Sequence, residues 1–133
     1  MPKYQVLLDV GYTARREVAL KGRVSAKRVM EERLTRDFVL DRFYHDVTQQ
    51  AVDQGLSNLD VQLVSAKKIK GDVASSTFDL VFNVFGTQDL KVTEISAEDA
   101  CEKARSIVRQ TIDMSGWEKP KICLCEVEEC SKA

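Results

Sequence analysis

The chain has 133 residues, of which 44% are apolar and 31% charged. Twenty Lys and Arg stand against 21 Asp and Glu, a formal net charge of −1. That near-balance leaves no long-range field to recruit nucleic acid or an anionic membrane surface, and the apolar content excludes a disordered chain.

A single domain over 1–133 is expected, since a chain of this length buries roughly two-thirds of its unfolded surface without disulfides or metals. No charged segment leading into an apolar run and a cleavage site opens the sequence. No stretch approaches the ~20 apolar residues of a membrane span. A cytoplasmic protein is the expectation.

Residues 3–10 alternate, with Tyr4, Val6, Leu8 and Val10 on one face and Lys3, Gln5, Leu7 and Asp9 on the other, which predicts a half-buried strand. Gly11-Tyr12-Thr13-Ala14 reads as a turn, and Val18, Leu20 and Gly22 as the return strand of a hairpin. Ser25 is placed to cap a helical region from Ala26 to Gln54, which Gly55 stops. Two apolar lines run through it, one at Met30, Leu34 and Phe38, the other at Leu40, Phe43, Val47 and Ala51. The changeover at Thr35 and Asp37 predicts a bend or two consecutive helices.

A strand is expected at about 59–66, then a polar connection to a second alternating pair. Phe78, Leu80, Phe82 and Val84 face one way, Asp79, Val81, Asn83 and Phe85 the other. Gly86-Thr87-Gln88-Asp89 reads as another hairpin turn, with Leu90 and Val92 returning. Ser96-Ala97-Glu98-Asp99 is a helix start with a hydroxyl cap and an acidic first turn, and Gly116 ends that helix. A last strand at about 120–128 places Ile122 and Leu124 on one face and Cys123, Cys125 and Val127 on the other.

The order strand, strand, helix, strand is thus written twice. Tyr4 to Val10 matches Phe78 to Val84 in phase, Asp9 aligns with Asn83, Ser25-Ala26 with Ser96-Ala97, and Glu31 with Glu102. The expectation is an α+β two-layer sandwich: duplicated ββαβ units, about 3–68 and 77–128, forming one mainly antiparallel sheet with helices on one face. The central βαβ…βαβ order is compatible with ferredoxin-like sheets, a superfold that implies no one function.

Chemistry is sparse. Phosphate-binding, dinucleotide, nucleophile-elbow and zinc-protease motifs are absent. The four cysteines, Cys101, Cys123, Cys125 and Cys130, crowd the last third with a Cys-x-Cys spacing and a single histidine elsewhere. Reduced thiols are expected, with neither a disulfide framework nor a metal site, and no cofactor is expected. The basic run Arg15-Arg16, Lys21, Arg23, Lys27 and Arg28 is offset by Glu17, Glu31 and Glu32 and reads as a solvated surface rather than a nucleic-acid footprint.

Three residues are candidate ligand contacts. Asp9 and Asn83 occupy equivalent places on the two expected central strands, on the face opposite the apolar row, and His45 lies on the long helix beside Asp41 and Asp46. Leu7, Val81, Phe85 and Cys125 are candidate interface residues, because a reverse face carrying them leaves an apolar patch in water. The functional expectation is a non-catalytic cytosolic binding or regulatory module that acts as a homo-oligomer, a two-fold dimer being the simplest way to bury such a patch, and a protein partner is also compatible. The alternative is a small enzyme or ligand-binding protein with a pocket between the sheet and the long helix.

Overall fold

Alternation from Val6 to Val10 continues without a break through Tyr12 and Ala14, and in the computed structural model the strand does the same. The structure describes residues 1–22, 25–31, 38–71 and 74–130. Their elements run β1 (Lys3–Lys21), α1 (Ala26–Glu31), α2 (Phe38–Gln54), β2 (Leu56–Gly71), β3 (Ser75–Thr93), α3 (Ala97–Met114) and β4 (Glu118–Glu129). Both expected hairpins are therefore corrected: β1 and β3 are single 19-residue strands, and the order is βαβ written twice rather than ββαβ.

The reason lies in the two glycines read as turn residues. Neither Gly11 nor Gly86 has a positive φ, unlike Gly22, Gly55 and Gly116, which do end elements. Each instead permits a close approach. A Cβ on Gly11 would lie 2.9 Å from Phe85 Cδ1, and one on Gly86 would lie 3.0 Å from both Leu59 Cδ2 and the Ser57 carbonyl oxygen. Glycine inside a strand often marks such a close approach.

β1 and β3 pair antiparallel over their whole length, from Lys3 opposite Thr93 to Lys21 opposite Ser75. β2 flanks β3 and β4 flanks β1, both antiparallel, giving the order β2-β3-β1-β4. Each βαβ crossover thus skips one strand, the split arrangement in which the two halves interlock.

The phases of β1 and β3 follow the expectation. Tyr4, Val6, Leu8 and Val10 are buried, as are Phe78, Leu80, Phe82 and Val84. They share one core with Val29 of α1, Val47 and Ala51 of α2, and Ala100, Ala104, Val108 and Ile112 of α3. Each large side chain so buried contributes on the order of 1.5–3 kcal/mol.

The caps are legible too. Ser96 accepts from the Asp99 amide at 3.2 Å. Gly116, at φ 75°, lets the Trp117 amide donate back to the Ile112 carbonyl, the bonding pattern of a glycine-terminated helix. Helical residues of the first region are described over α1 and α2, and the expected changeover at Thr35 and Asp37 lies outside the described residues.

One face assignment is corrected. A register shift between Leu7 and Leu8 makes Glu126 and Leu124 their partners, so Cys125 is the extra residue of a bulge. The phase of β4 flips there, and Val127 pairs with Val6 and packs against the core instead of facing away with Cys123. β2 carries three such shifts and runs longer than the expected 59–66. Its exposed Lys67, Lys68 and Lys70 are charges of the kind that keep an edge strand from pairing with another chain.

Candidate functional site

The sheet has two unlike faces. Helices cover the face built from the even-numbered residues of β1 and β3, and no described element covers the odd-numbered face. At its centre Gly11 sits opposite Phe85, whose ring lies against the bare glycine and stays 44% exposed. Around this pair are Leu7 and Val81, half-buried, and Val64 of β2, 42% exposed.

Phe85 separates two depressions. The larger, ≈ 580 Å³, has Thr13 and Asn83 on its floor, with Lys67, Lys119 and Lys121 among its lining residues. Thr13, only 7% exposed, donates to the Asn83 side-chain oxygen at 3.2 Å. Arg15 also lines this depression, but its guanidinium is held at 2.8 Å by Asp79 and at 2.9 Å by Glu118. The hydrogen bonds that Arg15 donates to these two carboxylates, that to Glu118 foremost, hold it still more firmly protonated than usual. Its charge is therefore neutralised, while Lys67, Lys119 and Lys121 form no ion pair among the described residues. The smaller depression, ≈ 350 Å³, is lined by Asp9, Asn58, Thr87 and Cys123.

Charge divides along the strands. On the Thr13 side of Phe85 the face carries Lys67 and Lys119 with the paired Arg15 and with Glu17, while Lys121 lies opposite Gly11 and lines both depressions. Beyond Gly11 it carries Asp9, Asp89, Glu126 and Glu128 against Lys3 and Lys91, all placed on this face by their pairing register. Gln5 donates to Asp89 there at 2.7 Å. The bulge brings Cys125 beside Asp9, and a hydrogen bond to that carboxylate raises the thiol's pKa.

Asp9 and Asn83 thus lie on one face, as their phase implies, in adjoining depressions with Phe85 between them. His45 lies elsewhere, exposed on α2 with its ring edge-on to Tyr44 at 6.1 Å. Leu7, Val81, Phe85 and Cys125 all belong to the odd face. All four cysteines are free thiols, with Cys101 buried on α3 and Cys123 and Cys125 exposed. Among the described residues no three His, Cys, Asp or Glu converge on a point, and no helix is long and apolar enough to cross a membrane.

A separate cleft of ≈ 550 Å³ opens on the helix-covered side, between the C-terminal turns of α2 and α3. Arg16, Gln50, Gln54 and Trp117 are among its lining residues, and Asn83, Asp9 and His45 are not. Trp117 stacks on Tyr12 with ring centroids 4.1 Å apart and planes 3° from parallel. Arg16 donates to the Gln50 side-chain oxygen and to the Arg15 carbonyl. The Tyr12 hydroxyl and both amide atoms of Gln54 are buried without a hydrogen-bond partner among the described residues, as is Gln88 Oε1. Each such atom costs on the order of 1–3 kcal/mol. Burial pushes the Tyr12 phenol well above its usual pKa, partly opposed by the Arg16 charge.

Sequence reasoning missed this cleft, because a glutamine in the last turn of a helix looks solvated until the neighbouring strands are in place. No family model, curated protein or solved structure matches this chain.

Proposed function

We propose that the chain is a non-catalytic binding module whose working surface is the uncovered face of its sheet, and that a second copy of the chain covers that face in a homodimer. The observation that supports this reading is the split of charge about an apolar centre. A two-fold axis lying between the two sheets, across the strands near Gly11 and Phe85, sets the lysine end of one copy against the Asp9, Glu126 and Glu128 end of the other. Phe85, Val81 and Leu7 then meet at the middle. Unlike charges at the two ends fix the orientation, and burial of the apolar centre supplies the affinity.

The area suffices. About ten residues along each of four strands cover on the order of 600 Å² before side chains are added, close to the roughly 800 Å² per partner of a standard interface.

Charge reversal tests the orientation. Changing Lys119 and Lys121 to Glu should weaken association, and adding Glu126→Lys and Glu128→Lys should restore it, as read by sedimentation. Restoration failing, or association strengthening with salt, contradicts the reading.

Two further points belong to it. Free thiols support a reducing compartment, and so a cytosolic location. The repeated βαβ order, with matched phases in β1 and β3 and a Ser-Ala start to α1 and α3, supports an internal duplication about the Gly11–Phe85 pair.

A further inference from the structure

The larger depression on the uncovered face has a floor and walls of distinct chemistry. Its floor is the cross-strand pair of Thr13 and Asn83, the latter half-buried. The Thr13 hydroxyl donates to the Asn83 side-chain oxygen. The group of Asn83 left over is its amide nitrogen, a donor with no partner among the described residues.

Cations line the depression from both edges of the sheet. Lys67 belongs to β2, and Lys119 and Lys121 to β4, on either side of the β3–β1 pair that carries the floor. None of the three is in an ion pair among the described residues. Arg15 also lines it but is held by Asp79 and Glu118, and Glu17, further along β1, is not among the lining residues. Four cations against those two carboxylates leave a net +2, in a chain whose net charge is −1. Lys119 has a φ of 51°, a left-handed value uncommon outside glycine, and it sits at the register shift of β4 between the partners of Gly11 and Thr13. Shifts of this kind re-aim side chains.

Size adds a second condition. The ≈ 580 Å³ is more than a bare phosphate fills, and one side of it is the ring of Phe85, 44% exposed. An aromatic face of this kind receives a flat apolar group.

We propose that this depression binds a small phosphate ester with a flat apolar body, the phosphate among the three lysines above Asn83 and the body against Phe85. Lysine serves a phosphate as a point charge, and a dianion answers a net charge of two. The site does not need the dimer. Its effect on the dimer rests on the reading above, in which the same lysines meet the acidic end of a second copy. Ester and second copy then compete, and the ester releases single chains by mass action.

Phenyl phosphate, inorganic phosphate and phenol separate these contributions. Titrated into the full chain at fixed ionic strength, phenyl phosphate should give saturable shifts of the Asn83 side-chain amide and Thr13 backbone resonances. Inorganic phosphate should move the same signals several-fold more weakly, and phenol should leave them in place. Lys119→Gln together with Lys121→Gln should weaken phenyl phosphate about tenfold or more. Lys91→Gln removes a lysine from the other end of the same face and should change the affinity by no more than about twofold. On the dimer reading, phenyl phosphate should also lower the native mass toward 15.0 kDa. A chain with that single mass before any ligand is added fails the dimer reading, while the titration still decides the site. No saturable shift at millimolar phenyl phosphate, equal affinity for phenyl phosphate and inorganic phosphate, or equal losses in Lys91→Gln and the double variant overturns the proposal.

Discussion

The ring of Phe85 lies across Gly11, its Cδ1 only 2.9 Å from where a glycine Cβ would stand. This one contact lies where β1 runs on through an expected turn, in the middle of the uncovered face and between its two depressions. Any side chain at Gly11 must displace the ring. Gly11→Ala should therefore cost about 1–3 kcal/mol in denaturant titration at fixed protein concentration. In a Phe85→Ala background the same change should cost markedly less, a coupling beyond the ~0.5 kcal/mol scatter of independent sites. Additive effects would show that the ring yields freely.

The core prediction concerns equivalent positions on the two central strands. Leu8 and Phe82 are 0% and 2% exposed. Phe82→Ala should cost on the order of 3–5 kcal/mol and Leu8→Ala about 2–5. Against a total of roughly 5–15 kcal/mol, either brings the chain near unfolding, as equilibrium denaturation will measure. A value for Phe82→Ala below about 1 kcal/mol would contradict the strand's phase.

Thiol labelling followed by mass spectrometry should rank the cysteines. Cys101, buried on α3, should label last. Cys125, whose thiol is held protonated by Asp9, should lag behind Cys123 although both are exposed. Both lie on the proposed interface, so Phe85→Asp should speed their labelling and leave Cys101 slow. Cys101 reacting as fast as Cys123 would contradict the placement of α3.

Alkaline pH should expose Tyr12. Its folded pKa is raised above the ordinary value of 10.0, chiefly by burial. The unfolded chain ionises this phenol first, so the folded state is fully favoured below about pH 10 and loses stability as pH rises further. Tyr12→Phe, which also deletes an unpaired buried hydroxyl, should flatten that loss. Thermal melts between about pH 8 and 11 measure it, and an identical slope in both proteins would contradict the burial of the hydroxyl.

Much of this fold is legible in the sequence because two strands carry strict alternation. Tyr4 to Val10 and Phe78 to Val84 declare their buried faces, which puts Asp9, Asn83, Val81 and Phe85 together on the other. Caps at Ser96 and Gly116 are equally plain. What fails are features set by pairing rather than by local pattern. Gly11 and Gly86 look like turn residues until the ring of Phe85 and the start of β2 are brought against them. The bulge at Cys125 leaves no mark on composition, yet it turns Val127 to the core. Charge balance over the whole chain hides its division along one sheet face, since Lys121 and Glu128 are separated only once β4 lies beside β1. His45 carries a recognisable chemistry but lies on the far layer from Asp9 and Asn83.

The central claim is that a second copy covers the uncovered face, and the mass of the native chain in solution tests it most directly. Light scattering coupled to size exclusion, run over a range of concentrations, should give twice the 15.0 kDa of the chain, and Phe85→Asp should return it toward the single mass. A native mass of 15.0 kDa at every concentration would contradict the account.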